Sequence, residues 1–297
     1  MSKNLRFLLR ISVLLVSGIV LQACSGPENS NTSPAAASAV DSTAAKNMKI
    51  AVIGATARSG RVIIQQALDQ GFTVTGLART PSKLGIEHER LTLVKGDVRD
   101  VESLKNALSG DEVVICMVGK SAPTDPKAII GKVDLYTVMG ENLIAAMKAK
   151  GNMRLIMASS TGVEHRVNPG ATEPEGDSMS DGWRFNARYL YGDMADMETM
   201  IETSGLEYVL LRPGFLVEDP ARHDLQIAVG GGTPKQRTIT YADFAAFTLE
   251  QVNSDQYLNK AVGMYSDQVM DPAAEVKKYM EKMLKQKEQQ KSNGVAP

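Results

Sequence analysis

The stretch MKIAVIGATARSGRVIIQQALDQGFTVTGLART, residues 48–80, constrains the fold more than any other part of the chain. The continuous apolar run KIAVI predicts a strand buried on both faces. A short loop leads into a helical pattern whose apolar stripe includes Ile63 and Ala67. Gly71 is predicted to end that helix, because glycine adopts the left-handed conformation at little cost. The run FTVTGLA follows as a second strand, so the stretch predicts a βαβ unit.

The loop between the first strand and the helix has the composition of a phosphate-binding turn. Glycine lets the backbone approach a pyrophosphate, and the helix N-terminus offers free N–H groups and a positive dipole. Ala57 occupies the middle position of a G-x-x-G-x-x-G pattern, where its methyl group narrows the approach. A glycine turn in an α/β protein that binds no phosphate is the alternative. The loop residues predicted to bind the cofactor are Gly54, Thr56, Ala57, Arg58, Ser59 and Gly60.

The end of the second strand indicates which nucleotide is preferred. Sites for NAD usually place Asp or Glu there to accept a hydrogen bond from the ribose 2′-hydroxyl, whereas this chain has Ala78-Arg79-Thr80. Arg79, with Arg58, could bind the 2′-phosphate of NADP through charge-assisted hydrogen bonds. Either arginine could instead be a solvated surface charge. The pattern favours NADP(H) over NAD(H).

Strand and helix patterns alternate through the rest of the chain. The predicted strands are LTLVKGDV, DEVVICMVG, RLIMASS and EYVLLRPG, and the predicted helices are DVESLKNAL, YTVMGENLIAAMKAKG, DMADMETMIETSG and YADFAAFTLEQV. This order predicts an α/β fold, a Rossmann-like doubly wound parallel sheet forming a single domain over residues 48–270. The net charge of -1 gives no reason to propose nucleic acid as a partner, and no metal-ligand spacing is present.

Several of these segments resemble one known family. GATARSG, GDV, ENLIAAMKAKG, SGLEYVLLRPG and TITYADFAAFTLEQV, in this order, resemble the NmrA-like, atypical short-chain dehydrogenase/reductase family, with a layout closest to its biliverdin reductase B, or flavin reductase, group. The resemblance implies Asp97 and Val98 near the adenine, Val118 and Gly119 along the cofactor, and Pro213 and Gly214 near the nicotinamide. Two alternatives remain open: Asp97 could cap a helix, and Pro213-Gly214 could be only a turn.

The catalytic residues of the family are only partly present. Ser160 matches the serine of the biliverdin reductase B pattern, and Tyr189 and Tyr191 follow downstream. Four residues after these tyrosines stand Asp193 and Ala195, so the Tyr-x-x-x-Lys pair of many short-chain dehydrogenases is missing. The Lys-x-Glu of NmrA-like chains is replaced as well, by Met194 and Asp196.

Without a nearby cation to stabilise a phenolate, general-acid catalysis by tyrosine is disfavoured. Hydride transfer to a flavin avoids this difficulty, because it depends mainly on holding two rings in contact and can take its proton from solvent. Ser160 would then orient the substrate or the nicotinamide amide. Alternatively, it caps free backbone groups at the end of its strand.

Residues 162–188 form a long segment rich in Gly, Pro and Glu. A connection of this length is usually functional or disordered. Trp183 and Phe185 could cover a planar substrate, with His165 as a polar contact. The alternative is that the aromatic residues only fix the loop to the body of the domain.

The N-terminus is predicted to direct export. Residues 1–23 combine a positive start with a short apolar core, which is typical of a signal peptide. The tetrapeptide LQAC, ending at Cys24, resembles a bacterial lipobox, which implies lipidation of Cys24 and a bacterial envelope location, with Ser25 favouring the periplasmic side of an outer membrane. Residues 24–47 are small and polar and predict a flexible tether. An ordinary secretory signal with a chance cysteine is the alternative.

Residues 271–297 predict an amphipathic C-terminal helix with a charged tail. This helix is expected to pack on its own domain, with docking to a partner or a lipid surface as the alternative.

Two functions are compatible with these features. The first is an NADPH-dependent reductase of a planar small molecule such as a flavin or quinone, anchored to the membrane by its lipid. The second is a non-catalytic NADP-binding regulatory or scaffold protein of NmrA-like type.

Overall fold

The structure is a computed structural model that describes residues 48–120, 130–168, 170, 184–269, 271, 274 and 281. An eight-stranded sheet with the order β3-β2-β1-β4-β5-β6-β10-β8 forms its centre, and β7 and β9 pair beside it. The strands are β1 (Lys49–Ile53), β2 (Thr73–Ala78), β3 (Leu91–Lys95), β4 (Val113–Cys116), β5 (Arg154–Ala158), β6 (Glu207–Pro213), β7 (Phe215–Val217), β8 (Gln226–Val229), β9 (Thr238–Thr240) and β10 (Lys260–Tyr265). The helices are α1 (Arg58–Asp69), α2 (Val101–Ala107), α3 (Leu135–Lys150), α4 (Arg188–Glu202) and α5 (Tyr241–Glu250).

All strands of the large sheet run parallel except β8, which pairs antiparallel with β10. The strand order reverses between β1 and β4, which is where open α/β sheets bind ligands at the carboxyl ends of their strands. The prediction of a doubly wound parallel sheet is therefore confirmed.

Helices cover both faces of the sheet. On one face α1 and α5 pack together and contribute buried side chains such as Ile63 of α1 and Phe244 of α5 to the core. On the other, α2, α3 and α4 enclose a methionine-rich core that includes Met139 and Met197. This double cover explains the continuous apolar runs of the parallel strands.

Helix α1 ends where the sequence predicts, whereas the start of α4 and the strands β7 to β10 differ from the prediction. Gly71 has φ +94° just after α1 ends, which confirms its role in terminating the helix. Helix α4 begins at Arg188, earlier than the predicted start at Asp193. The strands β7 to β10 were not predicted; β7 and β9 are only three residues long, which is too short to show a hydrophobic period.

Asp193 joins two helices of the methionine-rich face. Its carboxylate, on α4, accepts hydrogen bonds from the backbone N–H groups of Tyr136 at 2.8 Å and Thr137 at 3.2 Å, in the first turn of α3. The side chain is buried. A carboxylate at a helix N-terminus satisfies free donors and complements the helix dipole, so Asp193 caps α3 from a neighbouring helix.

Cys116 ends β4 in the same core. It is fully buried, and this burial raises the pKa of its thiol to about 12. A thiol with such a pKa stays protonated at neutral pH and is a poor nucleophile.

Across the described ranges, no helix is long and apolar enough to cross a membrane. The predicted signal peptide and tether lie outside the described residues, as does the C-terminal helix apart from Asp271, Ala274 and Glu281.

Replacing Asp193 with Ala should lower the free energy of unfolding by about 1–3 kcal/mol, because two buried N–H groups lose their acceptor. Asp196→Ala, an exposed site on the same helix, should change it by less than about 0.5 kcal/mol. Urea unfolding followed by circular dichroism measures both. Equal stabilities of the two variants would contradict the capping role.

Candidate nucleotide and acceptor site

The loop between β1 and α1 is shaped by two glycines. Gly54 has φ +91°, and a methyl group there would lie 2.9 Å from Cγ2 and 3.0 Å from the backbone nitrogen of Val118. A methyl group at Gly60 would lie only 2.3 Å from the carbonyl oxygen of Gly54. The first glycine therefore makes the turn against the end of β4, and the last allows the helix to approach the strand. These are the contacts expected of a dinucleotide-binding turn.

The N-terminus of α1 carries no side-chain cap. Ala57 is the N-cap residue and has extended backbone angles, and the first turn contains no acidic residue. By contrast, Asp100 caps α2 and Thr240 caps α5 with their side chains, whereas the N-cap residue of α4, Ala187, makes no such bond. An uncapped N-terminus behind a glycine turn leaves N–H groups available to an anion such as a pyrophosphate.

The two arginines predicted to contact the nucleotide are both exposed. Arg79 directly follows β2, at the carboxyl edge of the sheet. Arg58 lies 3.7 Å from a carboxylate oxygen of Glu218 and 5.4 Å from the ring centroid of Tyr241. Arg58 thus lies in the glycine loop and already has protein partners, and Arg79 lies just after β2, the strand that pairs with β1.

The residues that follow β3 and β4 were also predicted to contact the nucleotide. Asp97 accepts a hydrogen bond from the backbone N–H of Arg99, at 3.0 Å. Because Asp100 is the residue that caps α2, the alternative capping role for Asp97 is wrong. Val98 is buried, and Gly119 is exposed just beyond the contact of Val118 with the loop.

Tyr136 holds the segment that follows β4. Its hydroxyl accepts a hydrogen bond from the backbone N–H of Lys120, at 3.0 Å. Burial raises the pKa of this phenol to about 12, so it is neutral at physiological pH and acts as a fixed support. Tyr136 was not predicted from the sequence, since a tyrosine at the start of a helix carries no distinguishing pattern.

All the predicted nucleotide contacts lie along one edge of the sheet. They follow β2, β3, β1, β4 and β6, whose carboxyl ends point the same way. Neighbouring strands are about 4.8 Å apart, so β2 and β6 are separated by roughly 19 Å. An extended dinucleotide can span such a distance, with its adenine near β2 and its nicotinamide near β6.

A cleft opens at the far end of this edge, beside β5 and β6. It brings together the predicted residues Ser160, Tyr191, His165, Pro213 and Gly214. The full lining is Ser160, Thr161, Gly162, His165, Arg184, Tyr191, Pro213, Gly214, Phe215, Lys235, Gln236 and Arg237.

The structure separates the two candidate tyrosines. Tyr191 is buried and lines the cleft, and its ring lies so close to Gly162 that any side chain there would overlap it. Tyr189 is not among the lining residues and stacks instead under the guanidinium of Arg188, at 4.7 Å. Tyr191 is therefore the tyrosine that can meet a ligand in the cleft.

Ser160 performs the alternative role set out for it. Its hydroxyl oxygen accepts a hydrogen bond from the backbone N–H of Gly162, at 3.0 Å, and starts a short 3-10 turn at Thr161–Val163. A serine hydroxyl that accepts one bond still has its own hydrogen to donate. Capping and substrate orientation are thus compatible at Ser160.

The Pro213-Gly214 pair is more than a turn. Pro213 is the last residue of β6 and Phe215 the first of β7. A methyl group at Gly214 would lie 2.4 Å from the carbonyl oxygen of Arg237, so the glycine admits a close backbone contact. The bend directs Phe215, which is 38% exposed, into the cleft.

Of the other residues predicted to contact the substrate, His165 lines the cleft and Phe185 does not. The Nε2 atom of His165 lies 2.9 Å from the carbonyl oxygen of Thr233, so this nitrogen carries the proton and donates. Phe185 is buried and packs 4.1 Å from the guanidinium of Arg188, which favours the alternative of fixing the loop. Trp183 lies outside the described residues.

The polar wall of the cleft, which was not predicted from the sequence, is formed by Arg184, Lys235, Gln236 and Arg237. These residues stand far apart in the chain and show no motif. No group of three or more His, Cys, Asp or Glu side chains in the described part of the chain could hold a metal ion.

Comparisons with known proteins agree with this geometry. A family described as NAD(P)H-binding matches residues 54–255, which include the glycine loop and most of the sheet. The chain belongs to this NAD(P)H-binding family. A Nicotiana tabacum protein named as an isoflavone reductase homolog is 26% identical over 238 residues, which are 73% of this chain and 67% of that protein.

Two solved structures share the fold. One, a proposed NADH-flavin reductase from Streptococcus pneumoniae, has a TM-score of 0.56 and 20% identity, covering 74% of this chain and 100% of its own. The other, a short-chain dehydrogenase/reductase from Veillonella parvula in complex with NADP, has a TM-score of 0.56 and 16% identity, covering 75% and 96%.

Gly60→Ala should weaken NADPH binding and lower the free energy of unfolding by about 1–3 kcal/mol, because the new methyl group overlaps the carbonyl of Gly54. Gly192→Ala is the matched control: it lies inside α4, with nothing within 4 Å of the added methyl group. That change should stabilise the protein by about 0.5–1 kcal/mol. Thermal melts with and without NADPH test both, and equal melting temperatures would contradict the close contact.

Proposed function

We propose that the protein is an NADPH-dependent oxidoreductase that transfers a hydride to a planar acceptor such as a flavin or quinone. The observation that carries this proposal is the shared sheet edge. An uncapped helix behind a glycine turn stands at one end of that edge and an open cleft at the other. The separation suits a dinucleotide whose nicotinamide reaches the cleft.

The preference for NADPH rests on the residues around the adenosine ribose. In this assignment Arg79 binds the 2′-phosphate, and no carboxylate follows β2 to accept from a ribose hydroxyl. The first-turn N–H groups of α1 bind the pyrophosphate. Asp97 and Val98 contact the adenine side, and Pro213 and Gly214 the nicotinamide side.

Bound NADPH would supply the hydride, and one proton from solvent would complete a two-electron reduction. The residues of this chain then act mainly by position. Phe215 offers an exposed aromatic face to a planar acceptor, while Ser160 and Tyr191 offer hydroxyl groups to its polar edge. No described lysine follows Tyr191 by four residues, since Ala195 stands there.

The names of related proteins support a reductase of this kind. The tobacco relative is named for isoflavone reductase, and the streptococcal structure for NADH-flavin reductase. Both names refer to reduction of an aromatic molecule, and the streptococcal name also includes a nicotinamide cofactor, NADH. The resemblance to the biliverdin reductase B group favours the same class of acceptor.

Asp193 favours a second candidate function, a non-catalytic NADP-binding regulator. The position four residues after Tyr189 caps α3, and Ala195 stands four residues after the cleft-lining Tyr191, so neither tyrosine has a lysine at the Tyr-x-x-x-Lys spacing. A protein of this type would bind the nucleotide without turnover. Single-turnover oxidation of NADPH by flavin or quinone, followed at 340 nm, separates the two functions.

We also propose that Cys24 anchors the protein to a bacterial envelope membrane by a lipid. Metabolic labelling of the full chain with a fatty acid should mark the wild type and spare Cys24→Ser. Cys116→Ser, a change at the buried cysteine, should keep the label. A Cys24→Ser variant that keeps the label would contradict lipidation at Cys24.

Arg79→Ala should raise the Kd for NADPH about 10- to 100-fold, because charge-assisted hydrogen bonds to the 2′-phosphate contribute about 1.5–3 kcal/mol. The Kd for NADH should change much less, since NADH lacks that phosphate. Lys260→Ala is the control, because it removes an exposed charge at the start of β10. Fluorescence titrations measure each Kd. An equal loss of NADPH and NADH affinity would oppose the assignment of Arg79.

Ser160→Ala and Tyr191→Phe should each lower kcat for flavin or quinone reduction less than about tenfold. General-acid catalysis contributes about 10²–10⁴-fold, and solvent supplies the proton in the proposed mechanism. Steady-state oxidation of NADPH measures kcat in both variants. A 100-fold loss in Tyr191→Phe would show that this hydroxyl is the proton donor.

A further inference from the structure

A buried ion network lies beside the acceptor cleft. Arg212, on β6, comes immediately before the cleft residue Pro213. Its guanidinium donates two hydrogen bonds to Glu198 of α4, at 3.0 and 2.6 Å, and lies 3.8 Å from the carboxylate of Glu164. The three side chains of this ion network are between 5% and 12% exposed. None of them is among the described residues that line the cleft, so any part they take in the reaction is indirect.

Glu164 closes the short turn that begins at Ser160. The 3-10 turn Thr161–Val163 has Ser160 as its N-cap residue and Glu164 as its C-cap residue. The carboxylate of Glu164 accepts hydrogen bonds from the backbone N–H of Thr233 at 2.9 Å and from its hydroxyl at 3.1 Å. Glu164 therefore fixes one end of the turn whose other end carries the Ser160 hydroxyl.

The sheet leaves room for this contact at Gly263. In the register of β10 and β6, Gly263 pairs with Arg212. A methyl group at Gly263 would lie 1.9 Å from the hydroxyl oxygen of Thr233 and 3.3 Å from a carboxylate oxygen of Glu164. Only glycine leaves space for the Thr233 hydroxyl at this position, so the sheet itself accommodates the contact between Glu164 and Thr233.

Helix α4 is attached to the same turn at two points. The ring of Tyr191 packs against Gly162, in the middle of the turn. Glu198 lies seven residues after Tyr191, about two helical turns and 10 Å further along the same face of the helix. It reaches the end of the turn through the ion network. Two attachments oppose both sliding and tilting of the turn on the helix, so Ser160 and Tyr191 keep a fixed separation.

Stability alone does not account for charged side chains at this place. Burying ions costs solvation free energy, and apolar side chains of similar volume often stabilise a core as well as a buried ion pair does. The ion network supplies direction instead, because the planar guanidinium of arginine holds a carboxylate in a fixed fork geometry.

We propose that Glu164 is a positioning residue for the acceptor and that it acts through Ser160 and Tyr191. By holding the turn against α4, Glu164 sets the spacing at which the two hydroxyl groups meet the polar edge of a planar acceptor. This spacing matters because a displacement of about 1 Å can remove a productive geometry. The inference deepens the proposed function and rests on it.

Binding to the full chain loaded with NADP+ tests this role without turnover. The probes are riboflavin and 1,4-naphthoquinone, one for each proposed class of acceptor, and isothermal titration calorimetry gives their Kd. Glu164→Ala should raise the Kd of a bound probe about five- to fiftyfold, because each hydrogen bond from a hydroxyl contributes about two- to tenfold in affinity. Glu164→Gln should keep the Kd within about threefold of the wild type, since its amide can accept from the Thr233 N–H and donate to the Thr233 hydroxyl. A loss in Glu164→Gln as large as in Glu164→Ala would contradict a role of these hydrogen bonds.

Glu112→Ala is the matched control for lost stability. This carboxylate is buried as well, and it accepts hydrogen bonds from the backbone N–H groups of Gly110 and Asp111, at 3.0 and 3.1 Å. Glu112 stands just before β4, at the edge of the sheet opposite the cleft. Both alanine variants should melt at a lower temperature than the wild type, but only Glu164→Ala should weaken binding of the probe. Equal Kd values in the two variants would overturn the inference.

A mutant cycle shows whether Glu164 acts through the two hydroxyl groups. In a chain that already carries Ser160→Ala and Tyr191→Phe, adding Glu164→Ala should change the Kd of the probe by less than about twofold, because the groups that it positions are gone. An added loss as large as that in the wild type would show that the carboxylate only supports the fold.

Turnover separates the inference from the function on which it rests. If the binding results are as expected but neither probe oxidises NADPH, the positioning role stands and the reductase function fails. If NADPH is oxidised and Glu164→Ala has the same kcat/KM as Glu112→Ala, the reductase function stands and the positioning role fails. If the wild type binds neither probe, both fail.

Discussion

The close backbone contact between the β1–α1 turn and the end of β4 is the constraint on which the rest of this structure depends. Gly60 must approach the carbonyl of Gly54, and Gly54 must approach Val118, before the helix can point its N-terminus along the edge of the sheet. The strand order reverses at this same place. The nucleotide assignment, the direction of the dinucleotide and the location of the acceptor cleft all follow from it.

The two halves of the candidate site are built by different physical means. The nucleotide half consists mainly of backbone: N–H groups of α1, two glycines and strand ends. The acceptor half consists of side chains held by other side chains, with the Glu164–Arg212–Glu198 network fixing the segment that carries Lys235 and Arg237. Backbone sites tolerate few substitutions at their glycines. Side-chain sites can change their ligand while the fold is preserved.

This difference explains what could be predicted from the sequence. The nucleotide half lies largely within residues 48–80, where strand period, glycine spacing and helix period occur together and are each readable. The polar wall of the cleft could not be predicted, because Arg184 and Lys235 are far apart in the chain and line the same cleft only in the folded structure. The choice between Tyr189 and Tyr191 also needed the structure, since it depends on the true start of α4 and on the ring contact with Gly162.

The cap that Asp193 places on α3 limits how this chain could change its chemistry. A lysine four residues after Tyr189 would put an ammonium group at the positive end of the α3 dipole, where a carboxylate now accepts two hydrogen bonds. The substitution Asp193→Lys would therefore destabilise the helix pair before it could assist any tyrosine. A Tyr-Lys pair built on Tyr189 would first require another cap for α3, whereas a lysine at Ala195, four residues after the cleft-lining Tyr191, would leave the Asp193 cap in place.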